Sequence, residues 1–445
     1  MHLIMTGQQQ PPGPPDTAVR VVTLPPEMEA VARYYEASAP EKLPAPAPWP
    51  AVSRKLPFAR RSARAVDTAT PPAVANVRLL DLHGDKRLEV VASDMREGTI
   101  LSGNPYDDRP ELKRIAGTPH PAHIEPADFD GDGIGDFLVG DLGTFLPSDH
   151  DRGAVVWLRG QKDGPYLPLS LDGWPRVSDV RAADFDGDGK ADLAVAAFGW
   201  RKTGHLTILK NDTTDYSRPS FIPVRVDPRT GSIHAEPVDL NGDKRMDLVV
   251  LFAQEHETVA AFLNRGAGLA FDVQTIYAAP HPNWGSSGIQ VVDLDQDGDL
   301  DVLLTHGDTF DDEVVKPYHG IQWLENRGTY PFTEHRLADM AGVHRAQATD
   351  LDGDGDLDIV VSSLLSAPEK ETKTLPSVGW LEQVKPGEFT RHTLELGSPH
   401  HATLDVGDFD LDGDMDFVVG RFSFSSSLED DTEGVVDVWE NLRIP

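Results

Sequence analysis

The chain has 445 residues, with 40 Lys and Arg against 73 Asp and Glu, a formal net charge of −33 and no cysteine. That excludes disulfides, Cys-bound zinc, iron–sulfur clusters and thiol nucleophiles, and it disfavours phosphate backbones and anionic lipid as partners. No apolar run is long enough to span a bilayer, yet 39% hydrophobic residues, with 17 Phe and 8 Trp, suffice for a packed core.

Residues 1–55 form a Pro-rich N-terminal segment. Eleven of the first 50 residues are proline, in runs such as Pro11-Pro12-Gly13-Pro14-Pro15, a composition that favours extended chain. One short helix is expected within it: Thr23 can cap, Pro25 and Pro26 suit a first turn, Met28, Val31, Ala32 and Tyr35 share a face, and Pro40 bounds the end. No basic stretch followed by an apolar one is readable as a signal peptide.

From residue 56 to 445 the texture changes to short β-rich runs separated by Gly, Asp, Asn and Pro. A nine-residue pattern, Asp-x-Asp-Gly-Asp-Gly-x-x-Asp, begins at Asp128, Asp184, Asp293, Asp350 and Asp408. A weaker copy begins at Asp239 and a degraded one at Asp81, where His83 stands at position 3 and Glu89 at position 9 in place of aspartates, with Lys86 and Arg87 nearby, and turn-only geometry is expected. The seven repeats are about 55 residues each, too small to bury separate cores. Each unit reads as four strands, A to D, with the acidic loop joining A to B. Strand C recurs as VVWLRG, HLTILKN, AAFLNRG, IQWLENRG, VGWLEQ and VDVWEN. The last unit lacks a strand D before Pro445, and Leu56–Val66 reads as the missing strand. The expectation is an all-β fold, a seven-bladed β-propeller closed by that segment.

Carboxylates spaced two residues apart repel one another unless a cation lies between them. Positions 1, 3, 5 and 9 can supply side-chain oxygens and position 7 its carbonyl, a hard all-oxygen set suited to Ca²⁺. The candidate ligands are Asp128, Asp130, Asp132, Ile134 and Asp136; Asp184, Asp186, Asp188, Lys190 and Asp192; Asp239, Asn241, Asp243, Arg245 and Asp247; Asp293, Asp295, Asp297, Asp299 and Asp301; Asp350, Asp352, Asp354, Asp356 and Asp358; and Asp408, Asp410, Asp412, Asp414 and Asp416. Position 12 is always aliphatic, as at Val139 and Val361, where an EF-hand needs a bidentate Glu. Five to six structural Ca²⁺ sites are expected. The seven loops hold 29 of the 73 acids, so the net charge is nearly all theirs.

These loops, above all DFDGDGIGDFLVG, DFDGDGKADLAVA, DLDQDGDLDVLLT, DLDGDGDLDIVVS and DFDLDGDMDFVVG, resemble the FG-GAP/VCBS repeat family. The resemblance spans about residues 56–445. It implies an integrin-α-like, calcium-binding propeller, an exported protein of the periplasm or cell exterior, and a role in binding ligands. Residues 24–44 are similar to the end of a c-type cytochrome domain that precedes some bacterial propellers. Without Cys-x-x-Cys-His no such haem can attach, which implies either a decayed remnant or a longer, cytochrome-fused precursor.

A second pattern lies in the D–A and B–C connections, which propeller geometry puts on the face opposite the acidic loops. His120, His123, His234, His281, His344, His400 and His401 fall near the start of strand A. The B–C segments add Asp94, Asp141, Glu255, His256, Glu257, His306, Asp308, Asp311, His319 and Arg421, with Trp284 and Arg345 nearby. Such a His/carboxylate mouth suits an anionic or sugar ligand or a second metal, unless each His merely caps a strand. Two readings stay open: a monomeric binding module for a protein or glycan, without nucleic-acid binding or membrane insertion, and a metal-dependent carbohydrate lyase or dehydratase. Gly-x-Ser-x-Gly, Walker A and His-Glu-x-x-His motifs are absent.

Overall fold

Strand B of each repeat carries an aliphatic run, and in the structure it is buried along nearly its whole length. The computed structural model describes residues 25–38, 43–66, 68, 70–162, 164–266, 268–310, 314–366, 372–424 and 434–443. Two compact units divide at residues 45 and 46. The first holds the helix Pro26–Ser38, whose described side chains are half or fully exposed. The expected cap Thr23 lies outside the described residues.

In the second unit every named element is a strand, in groups of four. The third group is typical: A is Val177–Ala183, B Asp192–Ala197, C His205–Asn211 and D Phe221–Asp227, paired antiparallel in that order. Five sheets have four strands. A sixth has eight and divides into two such groups. The A strands of successive groups, from Val74–Leu80 to His401–Gly407, lie side by side, and the first and last of them also touch. The result is a closed, propeller-like ring. Burial follows radial position: B strands such as Asp192–Ala197 and Asp247–Phe252 are buried at every residue, whereas D strands such as Phe221–Asp227 are largely exposed.

Closure occurs where the sequence places it. Phe58–Ala65 serves as strand D of the last group, antiparallel to Val436–Asn441, with Phe58 opposite Asn441 and Ala63 opposite Val436. It then meets Glu111 and Leu112 of the first group in a short parallel pairing, which joins the two groups into the eight-stranded sheet. Residues 46–57 lead into this strand across the outer edges of the fifth and sixth groups. The Trp49 indole donates to the Asp339 carbonyl at 2.7 Å, and Ser53 N–H donates to the Thr393 carbonyl. Gly379 makes room for it: a Cβ there would sit 2.5 Å from the Trp49 ring.

Each strand A carries a β-bulge after its first residue, at Val74/Asn76, Pro121/His123, Val177/Asp179, Ser232/His234, Ser286/Gly288, Val343/Arg345 and His401/Thr403. A bulge re-aims the side chains beyond it, and its recurrence sets the lining of the central channel.

The closing strand is tied by buried charge. Asp437 is fully buried and accepts from Arg60 at 2.8 Å and Arg421 at 2.9 Å, while Arg60 also reaches Glu395 at 2.6 Å. Removing one member of such a cluster leaves buried charge uncompensated. Asp437→Ala is therefore expected to cost about 3 kcal/mol in urea unfolding, with Arg33→Ala on the exposed helix, a surface pair, near zero.

Candidate functional site

The acidic loops share one backbone conformation. Positions 4 and 6 both have positive φ, as at Gly131 (70°) and Gly133 (83°). Gln296 (60°) and Leu411 (64°) hold position 4, and Lys244 (68°) and Lys86 (72°) hold position 6, where glycine is otherwise the rule. Non-glycine residues there carry backbone strain of about 1 kcal/mol or more, so the fold holds the turn against local preference. The first aspartate accepts the amide of residue 6, as from Gly133 to Asp128 at 3.1 Å and Gly298 to Asp293 at 3.0 Å.

The ninth aspartate is a brace. One of its oxygens accepts the amide of loop position 2: Phe129 to Asp136, Phe185 to Asp192, Leu240 to Asp247, Leu294 to Asp301, Leu351 to Asp358 and Phe409 to Asp416, at 3.0–3.2 Å. The other accepts an amide at the end of strand C, from Gly160, Asn211, Asn264, Asn326, Gln383 or Asn441, at 2.6–2.8 Å. Where an amide side chain follows, it donates back to the carbonyl of position 8, as Asn211 does to Ala191.

Five loops bring three carboxylates together, with one oxygen of each within 4.8 Å of the others: Asp128, Asp130 and Asp136; Asp184, Asp186 and Asp192; Asp293, Asp295 and Asp297; Asp350, Asp352 and Asp358; and Asp408, Asp410 and Asp416. These are the five clear copies of the repeat. Buried oxygens of Asp295, Asp350, Asp352 and Asp408 have no hydrogen-bond donor, nor has either oxygen of Asp414. Burial, with repulsion from the neighbouring aspartates, pushes Asp301 up to about 6, Asp358 to about 7 and Asp416 to about 8, against the pull of their amide donors. Buried carboxylate oxygens without donors, set beside ninth aspartates whose proton affinity burial raises, are groups that a positive charge would satisfy, so the residues present fit a hard divalent cation.

The loop at Asp239 forms no such group among the described residues. Asn241 replaces a carboxylate, and the Arg245 guanidinium is bound to Asp243. The loop at Asp81 folds around its own amides, four of which donate to Asp81.

The channel is lined by residues three and five positions before each loop. Beyond the bulges stand Asn76, His123, Asp179, His234, Gly288, Arg345 and Thr403, and two residues later Arg78, Glu125, Arg181, Glu236, Gln290, Gln347 and Asp405. Fully buried Asp179 meets Arg181 at 3.0 Å, His123 at 3.1 Å and His234 at 3.6 Å. Arg181 also reaches Glu125 and Glu236, both at 3.0 Å, and Arg345 contacts His234 at 3.0 Å. Several of these side chains serve the free edge of the next strand A. Asn76 accepts Ile124 N–H, Asp179 accepts Ala235 N–H, Gln290 accepts Ala348 N–H and Asp405 accepts Leu79 N–H. Chain order hides this ring, although a fixed offset from the loop marks it.

The candidate pocket residues fall into three clusters. His123, His234 and Arg345 belong to the channel lining, and His344, the bulge residue before Arg345, tilts against Phe310 at 5.8 Å. His401 is buried against Glu395 at 2.7 Å, beside the Arg60–Asp437–Arg421 cluster. In the fifth group Trp284 stacks on Tyr318 (4.9 Å) and on His306 (5.3 Å), His281 packs edge-on at 5.1 Å, and fully buried His319 lies at 6.5 Å from His306. His306 Nε2 faces the Arg336 guanidinium at 2.6 Å, which disfavours a metal at that nitrogen. Both ring nitrogens of His319 lack hydrogen-bond partners. Asp94 accepts the amides of its own turn from Arg96 and Glu97, and Asp141 accepts Gly143 N–H from its own turn and His120 N–H from the connection before strand A. Asp308 accepts Phe310 N–H, Glu255 accepts the Thr230 hydroxyl and approaches His256 at 3.7 Å, and His400 is exposed. Asp311 lies outside the described residues. Among those residues no group of three metal-type donors assembles at this mouth.

The mouth instead holds an apolar cluster, Ala73, Met95, Leu142, Leu364, Ala402 and Phe422, edged by aromatic rings. Phe145 stacks on Phe422 at 6.3 Å, Phe422 meets Phe424 at 5.4 Å, and Phe424 meets Phe310 at 5.3 Å. Phe310 and Phe424 are 46% and 43% exposed. These phenylalanines were not singled out by the sequence, since a lone Phe in a loop carries no pattern.

Comparison with known proteins gives one family: the FG-GAP-like repeat matches residues 128–195 and 239–304. No curated protein matches the chain. No helix among the described residues is long and apolar enough to cross a membrane.

Burial keeps several imidazoles neutral. His319 is pulled down to about 3 by burial and then by Lys316 and Arg336, His344 to about 4 by burial and Arg345, and His205 to about 4 by burial and Arg225. Unfolded, each titrates near 6.5, so between about pH 6.5 and 4 each of these imidazoles takes up its proton only in the unfolded chain and removes stability as pH falls, whereas the raised carboxylates Asp301, Asp358, Asp416 and Glu257 act in the opposite direction. Each group contributes a slope of about 1.4 kcal/mol per pH unit in that window. Urea unfolding at pH 7 and pH 5, at constant calcium, isolates the imidazole contribution by difference: His319→Asn should change the pH slope by about one proton relative to the unsubstituted chain, in the direction of less stability lost on acidification.

Proposed function

We propose that this protein, which carries FG-GAP-like repeats, is a calcium-stabilised β-propeller acting outside the cytoplasm as a monomeric binding module for a protein or glycan partner. The seven four-stranded groups would be its blades. The observation that carries the calcium reading is the set of buried, donor-less carboxylate oxygens in loops whose backbone is already in the binding turn. When bound, the ion supplies positive charge that relieves carboxylate repulsion. Because it would bind only the folded loop, it would stabilise the whole ring.

The partner reading rests on the opposite face. Phe310 and Phe424 present exposed rings beside the apolar mouth, and aromatic faces suit both glycan stacking and protein docking. The enzyme reading is favoured by one observation. Glu257, nearly buried, is raised to about 7 by burial and by Asp308, near the range of a general base. Its carboxylate accepts Ser286 N–H at 2.8 Å, which favours a turn-holding role.

Thermal unfolding with and without chelator tests the calcium reading. EDTA should lower the midpoint by about 10 °C or more, and calcium, but not magnesium, should restore it. An unchanged midpoint would rule the reading out. Glycan-array and protein-partner binding should weaken at least tenfold in Phe310→Ser/Phe424→Ser at an unaltered melting midpoint. Undiminished binding would move the partner site elsewhere.

A further inference from the structure

The brace from the ninth aspartate fixes the end of strand C against the loop, so the residue just before the braced amide occupies the same place in every group. That residue is Arg159, Lys210, Leu263, Glu325, Glu382 and Glu440 in the second to seventh groups. The type is not scattered. Two consecutive groups have a base there and three consecutive groups have an acid.

The bases reach into their loops. Arg159 Nη2 lies 2.5 Å from Asp130 Oδ2 and 3.6 Å from an Asp132 oxygen. Lys210 forms an ion pair with Asp186 and lies 3.8 Å from Asp188. In both loops the resident cation therefore sits on the carboxylates of positions 3 and 5. In the other three loops the same place holds an acid, Glu325, Glu382 or Glu440, which adds negative charge beside the position-3 carboxylate; Lys55 and Arg443 act on Asp352 and Asp414 only from a distance.

The seventh loop residue divides the same way. It is Ile134 and Lys190 beside the bases, and Asp299, Asp356 and Asp414 beside the acids. Asp414 is 1% exposed with neither oxygen paired. Glu325, Glu382 and Glu440 have basic partners of their own in Arg327, Lys55 and Arg61. Among the described residues, however, no base forms an ion pair with a carboxylate of the three loops concerned.

We propose that the ring holds two classes of calcium site: three tight ones in the loops from Asp293, Asp350 and Asp408, and two weak ones in the loops from Asp128 and Asp184, where Arg159 and Lys210 compete with the incoming ion. This rests on the calcium reading above. All five loops offer four ligand carboxylates, so the classes differ in the charge around those ligands: a further acid at position 7 and after strand C in one class, a competing cation in the other. The two classes occupy separate arcs of the ring, so one arc fills before the other as free calcium rises.

Native mass spectrometry of the chelator-treated full chain, at buffered free calcium, counts the ions. The expected result is a plateau at three ions, then a second phase to five at free calcium at least tenfold higher. Arg159→Gln with Lys210→Gln should shift the second phase at least tenfold towards lower calcium and leave the first in place. A single phase running from one to five ions, or a second phase that the double variant does not move, would overturn the inference while leaving the calcium reading intact. Chains that take up no calcium at any concentration would overturn both. Should the double variant fold poorly, Glu440→Gln provides the complementary measurement: one ion should leave the tight phase, and three tight ions retained would refute the assignment.

Discussion

The structure depends on a buried carboxylate with two amide donors. At the ninth position of six loops, an aspartate spans the gap between the A–B turn and the end of strand C. That contact orients the loop, fixes the distance from the loop to the sheet, and puts a negative charge where water cannot reach it. The first consequence is architectural, because every group repeats the same turn. The second is chemical, because the remaining carboxylates are held close together by a framework that does not relax when they repel. A cation site is thus built into the sheet and does not hang from a flexible connection.

The repeat, the strand count per unit and the closing segment were legible in the sequence. Asp, Gly and aliphatic residues at fixed spacing admit few other folds, and a unit short of one strand must find it elsewhere. Phe58–Ala65 supplies it. The bulges in strand A were not legible, since a bulge follows from pairing geometry and its residues range from Ala75, Ala122 and Ala402 through Ser178 and Ser287 to Ile233 and His344. With the bulges went the channel lining. Arg78, Glu125, Arg181 and Glu236 alternate in sign over the first four groups, but each stands alone in its own stretch of sequence.

The histidines show the limit of counting residue types. Several of them do lie near strand A, as their positions suggest, but their partners separate them. His123 and His234 share Asp179, His401 has Glu395, and His306 has Arg336. Sequence proximity to a channel says nothing of which side of a bulge a ring falls on. The aromatic edge of the mouth comes from loops of the second, fifth and seventh groups, so its unity exists only in three dimensions.

The closing strand also sets an order of assembly. Arg60 and Asp437, partners across the closure, stand 377 positions apart. The closing strand precedes every other strand of the ring in sequence, yet it finds its place only after Val436–Asn441 has been made, and until then the last group carries an unsealed sheet edge. Closure at such separation is slow relative to local pairing. The interval during which this chain is open to proteolysis or mispairing is thus governed by the time taken to deliver its C-terminal strands, and less by the stability of any single blade.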